Sequence, residues 1–314
     1  MTLPMGRALR QVFGETVTAL AKEDPTIVML DADTGVSTKA DVFLAEIPER
    51  YLQMGIAEQN MIGVAAGLAT MGLKPWVATF AAFSVVRPLD QVRVLVGQTG
   101  LDVKITGGYA GLFTGQAGKT HTVLDDISIM RTIPGMIVLA PADDVETEQV
   151  IRWTATHVGP VYIRLVRDAT QRLFDDDYRF EFGRAVVVRE GSDVALVSTG
   201  TETPRVVDAA DRLAGDGIDP HVLHVPTVKP LDVDAVVEAA ARTGHVIVVE
   251  EHSILGGLGS VVAETLSARL PTHVDRIGIR DTWVESGANA ALLDAYGLSA
   301  ERVAEQVREL FRRG

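Results

Sequence analysis

The chain has 314 residues, with 29 Lys and Arg against 42 Asp and Glu, a net charge of −13, and no cysteine. That balance argues against the broad basic surface that nucleic acid or anionic membranes require, and leaves open a local basic pocket for a small phosphate. Without cysteine there are no disulfides, thiolate metal sites or Cys nucleophiles, so His, carboxylates, Arg or a cofactor must supply any chemistry. At 47% apolar content the length suffices for two cores of ordinary domain size. The amino terminus MTLPMGRALRQVF has no signal-type apolar run, and no window reaches the roughly 18 unbroken apolar residues of a membrane span. A soluble, cytoplasmic protein is expected.

Short Val- and Ile-rich runs alternate with longer amphipathic or Ala-rich segments. In chain order the pattern predicts a helix over 6–22, the run TIVMLDAD, a helix over 58–71, KPWVATF, a helix over 83–97, then DVKITGG, GMIVLAP, a helix over 143–157 and VYIRLV. Beyond these follow DVALVSTG, a helix over 202–216, DPHVLHV, a helix over 232–243, HVIVVEE, and helices over 257–270 and 299–312. Runs of this length bounded by Gly, Pro and Asp read as buried parallel strands joined by right-handed helical crossovers. The expected fold class is α/β, with two doubly wound domains of mainly parallel sheet. The acidic, aromatic stretch FDDDYRFEFGR separates them, giving a first domain over 1–170, a linker over 171–190 and a second domain over 191–314. Ser299 is placed to cap the last helix, with Leu298 as its hydrophobic staple.

Three patterns invite readings that their details oppose. GLFTGQAGKT suggests a phosphate-binding loop, but the glycine required five residues before Gly118 is Phe113. Gly256-Gly257-Leu258-Gly259-Ser260 follows a strand and opens a helix, so its amides could hold an anion; without the full dinucleotide fingerprint it reads better as a tight turn. Seven His residues are scattered without HExxH or any pair at ligand spacing, which argues against a protein-only metal site.

GIAEQNMIGVAAGLATMG is the most informative segment. After Glu58, Gln59 and Asn60 only apolar or small residues follow through Met71, bar Thr70, which predicts a helix buried on nearly every side with Glu58 at its mouth. Two readings of Glu58 stay open on the residues alone. It complements the helix dipole, or desolvation raises its proton affinity so that it exchanges a proton with a bound heterocycle.

Gly55-Ile56-Ala57-Glu58-Gln59-Asn60 with its small-residue helix resembles the pyrimidine-binding domain of thiamine diphosphate enzymes of the transketolase group. The resemblance runs along the whole chain, through KPWVATFAAFSVVRPLDQVR, THTVLDDISIMRTIPGMIVLAPAD, VPTVKPLD and VIVVEEHSILGGLG. It implies that Glu58 hydrogen-bonds the cofactor's pyrimidine and favours its imino tautomer. Phe80 and Phe83 match the aromatic positions lining that pocket, and Asp33 matches an Asp near the cofactor. His121, in Gly-Lys-Thr-His, matches a His near the substrate oxygen suited to proton transfer. Ser37 and Arg167 match positions that bind the sugar phosphate, and Arg87 resembles an Arg common in split members, with a structural ion pair as its alternative.

Two departures bear on substrate. Tyr109 stands where the family usually has a His, and Ala117 where it usually has an Asp, both for donor hydroxyls. A less hydroxylated donor or a specialised metabolite is therefore expected. The family's diphosphate-binding domain, with its GDG motif, downstream Asn and Mg2+, has no counterpart here; Gly215-Asp216-Gly217 reads as a helix-ending turn. The resemblance thus implies the second subunit of a split transketolase that transfers a two-carbon ketol unit. Its partner subunit would supply the diphosphate and Mg2+ ligands in an α2β2 heterotetramer. The nearest rival is the β subunit of a 2-oxo acid dehydrogenase, and from another class, a non-catalytic structural or regulatory partner that kept the fold.

Overall fold

In the computed structural model, which describes residues 3–313, fourteen strands form three sheets. They are β1 (Met5–Ala8), β2 (Ile27–Asp31), β3 (Tyr51–Gln53), β4 (Lys74–Phe80), β5 (Lys104–Gly108), β6 (Ile137–Leu139), β7 (Val161–Arg164) and β8 (Ala169–Gln171). The second half adds β9 (Val186–Arg189), β10 (Val194–Ser198), β11 (Pro220–His224), β12 (Thr227–Lys229), β13 (His245–Ser253) and β14 (His273–Ile279). Seven strands in the order β12-β6-β7-β5-β4-β2-β3 make the first large sheet, parallel except at β12. Five in the order β14-β13-β10-β11-β9 make the second, parallel except at β9.

The α/β architecture expected from alternating apolar runs and amphipathic segments is present, and the central strands are buried on both faces. β12 departs from a simple succession of two units: it belongs to the second half of the chain but pairs with β6 of the first sheet. The acidic stretch after β8 is also anchored. Asp143 accepts from the Leu173 and Phe174 amides at 2.7 Å each, Tyr178 donates to Glu146 at 2.6 Å, and Phe182 stacks on Trp153 with centroids 4.2 Å apart.

Three helices differ from expectation. Residues Met5–Ala8 form β1, antiparallel to β8, and the first helix starts only at Leu9. The segment 83–97 is not one regular helix: wide π turns over Ala82–Val86 and Val92–Gly97 flank a break at Pro88, which lacks the N–H that a continuous ladder needs. Helix Glu58–Thr70 is not buried on nearly every side. Met61, Ile62, Ala65 and Ala66 face the core, while Asn60, Gly67 and Thr70 are exposed and added side chains at Gly63 or Gly67 would meet open space. At the carboxyl end, Ser299 accepts from the Arg302 amide and Leu298 is fully buried in the same cluster as Val303. Among the described residues no helix is long and apolar enough to cross a membrane.

Candidate active site

Parallel strands end their carboxyl termini on one side of a sheet, and the loops that follow build the crevice there. Asp33 and Ser37 follow β2, Glu58 follows β3, Phe80 ends β4 with Phe83 just beyond, and Tyr109 and His121 follow β5. Asp33, Ser37, Glu58, Phe80, Phe83, Arg87 and His121 line one cleft of about 390 Å³, together with Thr34, Ile56 and Thr120. These residues are up to 88 positions apart in sequence and are gathered by the strand order β5-β4-β2-β3.

Glu58 is the first residue of its helix and only 4% exposed. Arg87 Nη1 donates to Glu58 Oε1 at 2.7 Å, and the same guanidinium lies 4.0 Å over the Phe83 ring. Arg87 is an ion-pair residue, and that ion pair lies in the cleft wall. Phe80 and Phe83 lie nearly parallel at 18°, with centroids 5.6 Å apart, and Phe80 stacks on Tyr109 at 4.0 Å. His121 presents its ring edge-on to both phenylalanines, at 5.8 and 5.2 Å, with Nδ1 2.8 Å from Thr120 Oγ1. The result is a flat aromatic wall bearing a carboxylate and an imidazole at its edge.

Asp33 and Tyr109 both adopt left-handed backbone, at φ 62° and 58°, a strained choice for residues with a Cβ that concentrates at functional sites. Buried Asp31 holds the Asp33 turn by accepting from Thr34 N at 3.1 Å and Gln53 Nε2 at 2.7 Å. Tyr109 is a hub behind the wall. Its hydroxyl accepts from Arg10 Nη1 at 2.9 Å and Arg167 Nε at 3.2 Å, and Arg10 also donates to the Ser37 carbonyl at 3.0 Å. Sequence reasoning missed Arg10, whose place near the start of an amphipathic helix gives no sign that it reaches across to β5. Ala117 is not brought to the cleft lining; it is exposed at the end of the short helix Gly111–Ala117. Lys119, from the apparent phosphate loop, pairs with Glu285 at 2.7 Å.

The second half of the chain braces this loop. Glu251 at the end of β13 accepts from the Leu112 and Phe113 amides at 2.6 and 3.3 Å, Ser286 Oγ donates to Gln116 O at 2.7 Å, and Asn289 donates to Asp168 at 2.9 Å. Arg205 binds both Glu251 and Glu202, while Arg164 joins Asp126 to the Glu251 carbonyl. Burial, opposed by Arg205 and reinforced by Glu251, pushes the Glu202 carboxyl up to about 8. The glycine-rich turn at 256–260 holds an anion of its own: Glu250 accepts from the Leu258 and Gly259 amides at 2.7 and 3.0 Å. A side chain at Gly257 would collide with that carboxylate.

Residues 5–172 match the family model for the transketolase pyrimidine-binding domain, and residues 183–303 that for the transketolase C-terminal domain. The chain is 40% identical over 305 residues to the 6-deoxy-6-sulfo-D-fructose transketolase subunit SqwH of a Clostridium species, covering 97% of this chain and 95% of that protein. It is 36% identical over 307 residues to an apulose-4-phosphate transketolase subunit of Phocaeicola vulgatus, covering 98% of each. Among solved structures it superposes with a TM-score of 0.89 on a split-gene transketolase described as an inactive β4 tetramer, at 41% identity and with 98% of this chain and 99% of that one covered. An α/β protein with a strand-end cleft of this kind is thereby placed: the chain belongs to the transketolase family. These relatives stand on the transketolase side, not with the β subunits of 2-oxo acid dehydrogenases.

Proposed function

We propose that the chain is the pyrimidine-binding subunit of a split, thiamine diphosphate-dependent transketolase and works on a specialised ketose. The observation that carries this reading is the buried Glu58 carboxylate beside the parallel Phe80 and Phe83 rings in one cleft. A flat heterocycle with one basic ring nitrogen fits that wall, because the rings stack without competing for its hydrogen bonds. When bound, thiamine diphosphate supplies the nucleophilic carbon and the electron sink.

This chain's residues have separable tasks in that reading. Glu58 hydrogen-bonds the pyrimidine, and Arg87 holds its carboxylate in place through Oε1. His121, held by Thr120, moves a proton at the substrate oxygen. Arg167 and Ser37 receive the anionic end of the sugar, and Arg10 and the Tyr109 hydroxyl position them from behind the wall. Asp33 stands at the rim. Mg2+ and the diphosphate are left to the partner subunit.

The open face of helix Glu58–Thr70 and the exposed Ile56 and Met71, at 73% and 78%, support burial against other chains in a two-fold assembly. That the related split-gene structure is an inactive tetramer of β chains is consistent with a requirement for the second subunit. The names of the split relatives, a 6-deoxy-6-sulfo-D-fructose and an apulose-4-phosphate transketolase subunit, favour a phosphorylated or sulfonated ketose. The test is reconstitution with a partner subunit that carries the GDG motif. Ketol transfer should need both chains, thiamine diphosphate and Mg2+, and Glu58→Gln should abolish it. Full transfer by the single chain, or by the Glu58→Gln mixture, would overturn the reading.

A further inference from the structure

We propose that His245, His273 and Asp275 form a divalent transition-metal site, of the kind Zn2+ takes, at the amino-terminal ends of β13 and β14. Linear spacing hides it, because the two histidines are 28 residues apart, and parallel pairing creates it. His245 and His273 are Cα partners across the two strands, and Asp275, two residues beyond His273, projects on the same face. The three ligand atoms lie within 4.8 Å of one another. Both imidazoles converge on one oxygen: His245 Nε2 is 2.8 Å and His273 Nε2 3.1 Å from Asp275 Oδ2.

Zn2+ binds imidazole nitrogen and carboxylate oxygen at about 2.0–2.2 Å, so neighbouring ligands in a tetrahedral shell are about 3.4 Å apart. A small expansion of the present contacts admits the ion. The side chains allow it: His245 is fixed at 11% exposure, Asp275 is at 22%, and His273, at 68%, is free to swing. Two neutral nitrogens and one carboxylate suit a borderline cation over Mg2+ or Ca2+, which prefer all-oxygen shells. Solvent completes the coordination on the His273 side.

The site is separate from the active-site reading. His245 precedes Glu251 by six residues of extended chain, about 20 Å along β13, at the opposite end of the sheet from the braced loop. Its structural meaning follows from strand order. β14 is the edge strand of the five-stranded sheet, and an ion held by one ligand from β13 and two from β14 clips that edge to its neighbour. An ion bound only by the folded state stabilises it.

The test uses the untagged full-length chain, stripped with a chelator and titrated with Zn2+ by calorimetry and by competition with a chromophoric chelator. One Zn2+ per chain should bind at micromolar affinity or better and raise the thermal midpoint. His273→Ala and Asp275→Asn should each weaken binding at least tenfold and remove the rise, while circular dichroism shows both folded. Co2+ should give visible four-coordinate absorption in wild type and lose it in His273→Ala. Unchanged stoichiometry and affinity in both variants, or binding only at millimolar Zn2+, would overturn the assignment.

Discussion

Buried carboxylates stand toward the carboxyl-terminal side of the strands in both large sheets, Glu58 at the helix that follows β3 and Glu250 and Glu251 near the end of β13, but their partners differ. At the first sheet, Glu58 has Arg87 on one oxygen and faces an open cleft. At the second, Glu250 is taken up by two helix amides, and Glu251 by two loop amides and Arg205. Parallel strands underlie both places, and at the second the chain's own donors take up the carboxylates. The second place is not idle, since Glu251 holds Leu112 and Phe113 at the root of the loop that carries Lys119 and His121. Self-satisfaction in one half thus braces the half whose Arg87-paired carboxylate lines the open cleft.

The sharpest break of that contrast is Glu58→Gln. In the reconstituted enzyme it should slow proton–deuterium exchange at the cofactor's reactive carbon by about 10²–10⁴-fold with an unchanged melting curve, whereas wild-type exchange would remove the open carboxylate from the reaction. Glu251→Ala should do the reverse. Leaving Arg205 short of a partner and two amides unpaired should cost about 3–5 kcal/mol of stability in urea unfolding, and a loss below about 1 kcal/mol would show that the brace is dispensable. Tyr109→Phe removes the hydroxyl on which two guanidiniums converge. An expected loss of about 1–3 kcal/mol, roughly 5–150-fold in kcat/KM, should be seen with an anionic ketose and not with an uncharged analogue; equal losses on both would detach Tyr109 from charge recognition. The smallest effect is a slope. Glu202, pushed up to about 8 by burial, favours its protonated form in the folded state, so its contribution is full below its ordinary 4.5 and drains away as pH rises through about 8. Urea midpoints measured from about pH 5 to about pH 9 should fall less steeply in Glu202→Gln, and parallel profiles would assign the slope elsewhere.

Much of this is legible in the residues. Apolar runs bounded by Gly, Pro and Asp locate most of the strands, and the Glu58 segment stands out by its own residues, whereas Phe80, Phe83, Arg87 and His121 are picked out by the family resemblance and not by local pattern; all share one cleft. What escapes has physical causes. A run of small and apolar residues carries no amphipathic period, so it cannot say which face packs inward, and helix Glu58–Thr70 reads as enclosed although Gly67 and Thr70 are exposed. Four residues without alternation, Met5–Ala8, give no strand period, and pairing with β8 decides their conformation. Arg10 and the His245–His273 pair depend on tertiary approach and on register, neither of which leaves a trace in local spacing.

β12 has a consequence for how the protein can be taken apart. The strand that covers the edge at β6 arrives more than fifty residues after the first sheet's other strands are complete, so the obvious cut through the acidic stretch after β8 would not release two finished units. It would strip a seven-stranded sheet of its outermost ribbon and expose unpaired N–H and C=O groups along β6, a template for adhesion between fragments. Proteolysis there should therefore yield pieces that stay together or precipitate, and during synthesis the first sheet waits for Thr227–Lys229 before its margin is sealed.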